Sequence, residues 1–181
     1  MRTLFEQKQN WGRIFVSLAI GSSIFLGLFV LPRLSPRSQT LGQAVKDVSL
    51  PLVELQHAEG SRFKLSAYQG KVLVLDFWAT WCGPCRDQSK ILERFVSVPR
   101  ANVAVVGVNE GESLRTVTEF LRSHPAPYPI AMDEDGAFGE SLKVQGLPTV
   151  VIINPKGELV DFLSGVVSYG RLESMVKEAA R

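Results

Sequence analysis

The sequence predicts an α/β domain, with a central mixed sheet flanked by helices, that follows one N-terminal membrane-spanning helix. Two apolar runs of strand length, residues 71–78 and 102–108, are separated by an amphipathic stretch at residues 85–98. Such a strand–helix–strand unit takes a right-handed crossover when its strands are parallel. Near the N-terminus, an uncharged run extends from Ile14 to Leu31. With 45% hydrophobic and 21% charged residues, the 181-residue chain has the composition of a folded protein.

The N-terminal run predicts a single transmembrane anchor in contact with the lipid bilayer. Its 18 uncharged residues would form a helix about 27 Å long, which is close to the ~30 Å hydrocarbon core. A cleaved signal peptide is the alternative, but its apolar stretch is usually about 7–15 residues long. The chain therefore divides into a tail at residues 1–13, an anchor at 14–31, a linker at 32–47 and a domain at 48–181.

The net charge of +2 is the sum of two different regions. Residues 1–45 contain five basic residues and one acidic residue, and the remaining 136 residues contain 15 basic and 17 acidic residues. The first region is thus +4 and the second −2, so we expect no nucleic-acid partner. The chain has two cysteines and two histidines, which excludes a multi-disulfide scaffold and a cysteine-rich zinc module. We predict no metal site.

Within the domain, the first predicted elements are a hairpin and two helices. The hairpin is expected at residues 52–65, with its turn at Glu59-Gly60. The amphipathic stretch at residues 85–98 is the first helix. Apolar residues recur at helical spacing in residues 113–123, and that helix should end before Pro125.

The C-terminal part of the domain predicts a second hairpin and a last helix. Residues 149–153 and 158–163 are apolar runs on either side of Asn154-Pro155-Lys156-Gly157. Proline followed by glycine between two such runs indicates a turn, so these strands should pair antiparallel. Ser168 is suited to cap a helix whose apolar residues, ending at Ala179, share one face.

The two cysteines, Cys82 and Cys85, occur as Trp81-Cys82-Gly83-Pro84-Cys85 between a predicted strand and a predicted helix. This context makes the pair a candidate for redox chemistry. Free N–H groups at a helix N-terminus stabilise a thiolate, so Cys82 should have a lowered pKa and attack a disulfide. Cys85, one turn later, could resolve the mixed disulfide. The alternatives are a zinc site, which lacks further ligands, and a structural disulfide, whose short loop would remove little chain entropy.

A second motif, Gly146-Leu147-Pro148-Thr149, opens the next predicted strand. Proline donates no hydrogen bond to a sheet, so it belongs at the start of a strand. Base rates alone favour a trans bond before Pro148.

Taken together, these motifs resemble the thioredoxin superfamily. The segment from Leu75 to Cys85, LDFWATWCGPC, resembles the active-site segment of thioredoxin. The lead-in at residues 65–71, the insert at 107–144 and the hairpin at 146–161 resemble the membrane-anchored TlpA/ResA-like branch. The insert includes Asp133–Gly136 before a short helix. The resemblance covers roughly residues 48–180 and implies a thioredoxin-like fold with an N-terminal β-hairpin extension.

The resemblance also implies a function and a set of contacts. It implies a cis Pro148 beside Cys82 and a substrate-binding surface made of Trp81, Gly83, Pro84, Leu147 and Pro148. The implied activity is thiol–disulfide exchange by the Cys82–Cys85 pair, with no cofactor besides that redox-active disulfide. The implied location is the cytoplasmic membrane, single-pass, with the catalytic domain outside the cytoplasm. The implied partners are a disulfide-containing client, with cytochrome c maturation as one setting, and a membrane electron donor.

Three residues depart from this branch or bear on its chemistry. Asp76 lies six residues before Cys82, where thioredoxin has a buried aspartate and the anchored branch more often has asparagine. A buried carboxyl has a raised pKa and can pass a proton to or from Cys85. Gln88 replaces a glutamate that many anchored reductases carry, and it cannot ionise. Lys90 replaces a helix-kinking proline and is expected on the solvated face of the helix.

Two other functions are alternatives to thiol–disulfide exchange. A peroxiredoxin-like peroxidase would carry a Pro-x-x-x-Thr/Ser-x-x-Cys run, and neither cysteine is preceded by one: Ala79 stands three residues before Cys82, and Cys82 three before Cys85. A non-enzymatic redox-sensing module would not need the intact WCGPC motif together with Asp76 and Pro148. The sequence therefore favours an oxidoreductase, and the Gly-Pro dipeptide resembles the reducing kind.

Overall fold

The computed structural model describes residues 42–45, 47, 49–51, 53 and 61–181. The predicted tail and anchor, most of the linker, and the predicted turn at Glu59-Gly60 lie outside these residues. Within the described part, no helix is long and apolar enough to cross a bilayer.

The described elements alternate between strands and helices along most of the chain. In chain order they are β1 (Ser49–Pro51), β2 (Arg62–Lys64), a 3-10 helix (Leu65–Tyr68), β3 (Val72–Trp78), α1 (Gly83–Val96), β4 (Val103–Glu110), α2 (Leu114–Ser123), β5 (Ile130–Asp133), α3 (Ala137–Ser141), β6 (Thr149–Ile153), β7 (Leu159–Ser164) and α4 (Tyr169–Ala179).

The central sheet is mixed, as the sequence predicts. Its strand order is β5-β4-β3-β6-β7, and β3 pairs parallel with β4, as β4 does with β5. The other pairings, β3 with β6 and β6 with β7, are antiparallel. The predicted N-terminal hairpin is present as the antiparallel pair β1–β2, which forms a sheet of its own and begins three residues earlier than expected.

Buried apolar side chains cover both faces of β3, whose seven residues are all buried. On one face, Val72 and Val74 pack with apolar residues of α1, α2 and α4. On the other face, Leu73 and Phe77 pack with α3 and the segment around the 3-10 helix. A strand buried on both faces has a nearly continuous apolar sequence, which is why β3 could be predicted from the sequence.

The topology brings two loops and a strand start to one edge of the sheet. Because β3 and β4 are parallel, the segments that follow Trp78 and Glu110 leave from the same edge. Strand β6 runs the opposite way and pairs Thr149 with Phe77, so Pro148 also lies at that edge. The cysteine motif and the Leu147-Pro148 motif are thus brought to one end of the molecule.

Candidate active site

Cys82 and Cys85 form a disulfide at the beginning of α1, with a Cα–Cα distance of 5.3 Å. Cys82 is the N-cap of the helix, and its Sγ accepts a hydrogen bond from the backbone N–H of Cys85 at 3.2 Å. Pro84 occupies the first turn, where a missing N–H costs nothing. The helix begins two residues before the predicted Cys85, so the free N–H groups of its first turn lie directly at the Cys82 sulfur.

Burial sets the chemistry of Asp76, the one polar residue of β3. The residue is only 2% exposed, and its Oδ1 has no hydrogen-bond partner in the described structure. Burial therefore raises the pKa of this carboxyl well above its ordinary value. A carboxyl of this kind holds its proton to a higher pH than an exposed one and can exchange it with a neighbouring group.

A cavity of about 700 Å³ connects Asp76 with the disulfide. It is lined by Asp76, both cysteines, and side chains of α1, α2 and the segment between α2 and β5. Trp78, Phe120 and Tyr128 form much of its apolar wall, while Ser89 and Glu93 contribute polar groups from α1. Cys85 and Asp76 therefore line the same solvent-open cavity.

A second buried polar side chain, Tyr128, lines the same cavity as Asp76. Burial, and the proximity of the Asp76 carboxyl, raise the pKa of Tyr128, while a hydrogen bond with the Ser89 side chain lowers it. The Tyr128 hydroxyl therefore stays protonated in the cavity wall. Sequence reasoning did not select Tyr128, because it is 52 residues from Asp76 and carries no local motif.

The segment before Cys82 exposes an aromatic side chain to solvent. Trp81 is 73% exposed, although large apolar side chains are normally buried. Gly83 and Pro84, on the other side of Cys82, are also exposed. The disulfide thus lies between exposed apolar and small residues, which a polypeptide could contact.

The structure gives the Leu147-Pro148 bond the cis conformation that the resemblance implies. The Pro148 carbonyl accepts a hydrogen bond from the Gly165 N–H at 2.8 Å, and the Thr149 hydroxyl donates to the Gly146 carbonyl at 2.7 Å. Leu147 is half-buried and Pro148 is buried. Neither lines the cavity around Asp76, but Leu147 packs against the apolar cluster that includes both cysteines.

Comparison with known proteins supports the same chemistry. The Redoxin family model matches residues 40–177. The thiol-disulfide oxidoreductase ResA of Bacillus subtilis (strain 168) is 33% identical over 129 residues, which is 71% of this chain and 70% of ResA. The ResA of Halalkalibacterium halodurans is 28% identical over 178 residues, or 96% of this chain and 94% of that protein. A crystal structure of a thiol:disulfide interchange protein DsbE from Chlorobium tepidum, 30% identical, superposes with a TM-score of 0.68 and covers 77% of this chain and 96% of that chain.

The chain belongs to the redoxin family. It has the ResA/TlpA-like form of the thioredoxin superfamily. This redoxin is a protein-disulfide oxidoreductase, and its Cys82–Cys85 disulfide is suited to that activity. In the described residues no cluster of histidine, cysteine or acidic side chains could hold a metal ion.

Two residues that depart from the family pattern have structural roles in this redoxin. Gln88 is fully buried, and its Oε1 accepts a hydrogen bond from the Val167 N–H at 2.7 Å. It therefore joins α1 to the loop before α4. Lys90 forms an exposed ion pair with Asp87 at 3.1 Å, which agrees with its expected position on the solvated face of the helix.

Proposed function

We propose that this redoxin is a membrane-anchored reductase of disulfides in extracytoplasmic client proteins. The observation that carries this proposal is the asymmetry of the cysteine pair. Cys82 is the N-cap of α1 and directly follows the exposed Trp81, whereas Cys85 lies in the first turn of the helix; both cysteines line the cavity that contains buried Asp76. The position on the helix assigns Cys82 to the client, and the shared cavity gives Cys85 a neighbour for proton exchange.

The reaction begins when the Cys82 thiolate attacks a client disulfide. A Cys82–client disulfide forms, and one client sulfur leaves as a thiolate. Ionised Asp76 then takes the proton of the Cys85 thiol, and the Cys85 thiolate attacks Cys82 Sγ. The Cys82–Cys85 disulfide forms, the second client sulfur leaves, and the two electrons have moved from the enzyme to the client.

The direction of electron flow is inferred from the residues between the cysteines. Gly83-Pro84 resembles the dipeptide of thioredoxin, whose potential is about −270 mV, rather than that of the oxidant DsbA, near −120 mV. A reductase outside the cytoplasm needs a supply of electrons, so the proposal includes a membrane-embedded electron donor. Clients whose paired cysteines have oxidised to a disulfide, such as apocytochrome c, fit this chemistry.

The test combines a reduction potential with client trapping in the full-length protein. We expect a potential well below −150 mV, nearer the reducing end of the range than the oxidising end. In a Cys85→Ser variant the mixed disulfide on Cys82 cannot be resolved, so extracytoplasmic clients should accumulate on it. Cys82→Ser is the matched control and should trap none of them.

Either of two outcomes would contradict the proposal. A potential above about −150 mV would make the protein an oxidant under cellular conditions. Trapping of cytoplasmic proteins alone would contradict the proposed location.

A further inference from the structure

One carboxylate near the cysteines accepts three hydrogen bonds that the disulfide chemistry does not explain. Glu112 Oε2 accepts from the Thr80 backbone N–H at 2.7 Å and from Asn109 Nδ2 at 2.8 Å. Its Oε1 accepts from the Thr80 hydroxyl at 2.6 Å. Hydrogen bonds to an ionised acceptor are shorter and stronger than neutral ones. Thr80 is therefore held at two of its atoms by a single side chain.

These bonds join the loops that follow two neighbouring strands. Thr80 comes two residues after β3 and Glu112 two residues after β4. The third partner, Asn109, is fully buried in β4 and pairs in register with Trp78 of β3. Glu112 is thus fixed to the sheet through Asn109 and in turn fixes the loop that leads to the cysteines.

The loop held by Glu112 is the one that exposes Trp81. Thr80 directly precedes Trp81, which is 73% exposed, and Cys82 follows. In the described residues Trp81 is the most exposed of the large apolar side chains. An exposed ring contributes more to client binding when its segment is ordered beforehand, because ordering it on binding costs free energy.

We infer that Glu112 is a positioning residue for disulfide exchange, which fixes the Thr80-Trp81 segment so that Trp81 presents a preformed surface to a polypeptide client. The reactivity of Cys82 has a different source, because its Sγ accepts from the Cys85 N–H at the start of α1. Client recognition and sulfur reactivity therefore depend on separate hydrogen bonds. This role holds whichever way electrons flow, so it goes beyond the proposed reductase function.

The test uses Glu112→Gln in the full-length protein, since glutamine keeps the shape but offers only one acceptor oxygen. We expect the hydrogen-exchange protection factor of the Thr80 amide to fall at least tenfold. With dithiothreitol as electron source, the KM for insulin disulfides should rise at least fivefold. The rate constant for alkylation of reduced Cys82 by iodoacetamide should stay within twofold of the wild-type value.

Matched variants separate positioning from a general loss of structure. Glu158 also accepts a hydrogen bond from an asparagine Nδ2 at 2.8 Å, but in the β6–β7 turn at the opposite edge of the sheet. Glu158→Gln should leave the KM for insulin unchanged. Thr80→Val removes the hydrogen bond from the hydroxyl to Glu112 and should raise the KM for insulin. Thr80→Ser keeps that hydrogen bond and should leave the KM at the wild-type value.

Two outcomes would overturn the inference. In the first, Thr80 loses its protection in Glu112→Gln but the KM for insulin does not change. In the second, the alkylation rate of Cys82 falls in parallel with kcat/KM, which would mean that Glu112 acts on the sulfur or on the whole fold. If Glu112→Gln does not fold, the comparison of Thr80→Val with Thr80→Ser decides between the same outcomes.

Discussion

A single buried carboxyl is the least favourable residue in an otherwise apolar strand. Asp76 interrupts six apolar residues of β3, is almost fully buried, and leaves Oδ1 without a partner. A buried polar atom without a hydrogen bond costs about 1–3 kcal/mol. Natural proteins retain such costs mainly at functional sites, and the cavity that Asp76 shares with Cys85 supplies the reason here.

The pKa of Asp76 predicts how stability depends on pH. Because burial raises this pKa in the folded protein, the folded state holds the Asp76 proton more tightly than the unfolded chain does. Stability therefore falls as the pH rises from the ordinary aspartate pKa, about 4, toward the raised value. Asp76→Asn cannot ionise, so it should be more stable than wild type at pH 8–9, and this difference should disappear near pH 4.

Urea unfolding at several pH values measures this difference, and Asp87→Asn, on the exposed face of α1, is the control that should show no gain. The same Asp76→Asn variant should turn over more slowly near neutral pH, because Cys85 loses its proton acceptor. Unchanged kinetics from pH 6 to 9 would remove the proton-relay role from Asp76.

At the scale of elements, the local sequence pattern was enough to predict an element that is long or whose ends carry capping residues. Strand β3 was predicted to within one residue, β6 was predicted at its observed bounds, and Ser113 and Ser168 cap the helices α2 and α4. Strand β5 was not predicted, since its four residues follow a proline-rich segment and are too few to show a period. Its pairing with β4, from Gly107 and Ile130 onward, stabilises it.

The contact between α1 and the loop before α4 gives a prediction at this scale. Gln88→Met keeps the length of the side chain but removes the acceptor of the buried Val167 N–H. An unpaired buried N–H costs about 1–3 kcal/mol, but the change also removes Gln88 Nε2, which is buried without a partner in the described structure. The free energy of unfolding should therefore fall by an amount near the lower end of that range. Denaturant unfolding measures it, with the exposed Gln145→Met as control, which should change stability by less than about 0.5 kcal/mol. If Gln88→Met and Gln145→Met change the free energy of unfolding equally, the hydrogen bond from Val167 to Gln88 does not contribute to stability.

At the scale of the whole molecule, the sequence predicts two parts with different surroundings. The net charge of +4 in residues 1–45 and −2 in the rest fits an anchor region and a separate soluble domain. The anchor lies outside the described residues, so membrane attachment stays a prediction. It depends on the length and apolar character of residues 14–31.

Fractionation of cells tests that prediction. The full-length protein should sediment with membranes, resist extraction by alkaline carbonate and dissolve in detergent. A chain truncated to residues 40–181, which keeps the hydrogen bonds between residues 42–45 and 157–159, should stay soluble. A full-length protein released by salt or carbonate, or recovered with the first residues removed, would contradict an uncleaved transmembrane anchor and favour the signal-peptide alternative.

The sequence by itself determined the central strand, the helices, the antiparallel hairpins and the cysteine pair, because these depend on periodicity, caps and turn residues within a few positions of one another. The resemblance to thioredoxin also singled out Asp76, six residues before Cys82. Only the tertiary structure decided that Asp76 and Tyr128 line one cavity with Cys85, and that Glu112 holds the loop before Cys82. Tyr128 is 52 residues from Asp76, and Glu112 is 32 residues from Thr80. They meet because the sheet brings the ends of separate strands to one edge.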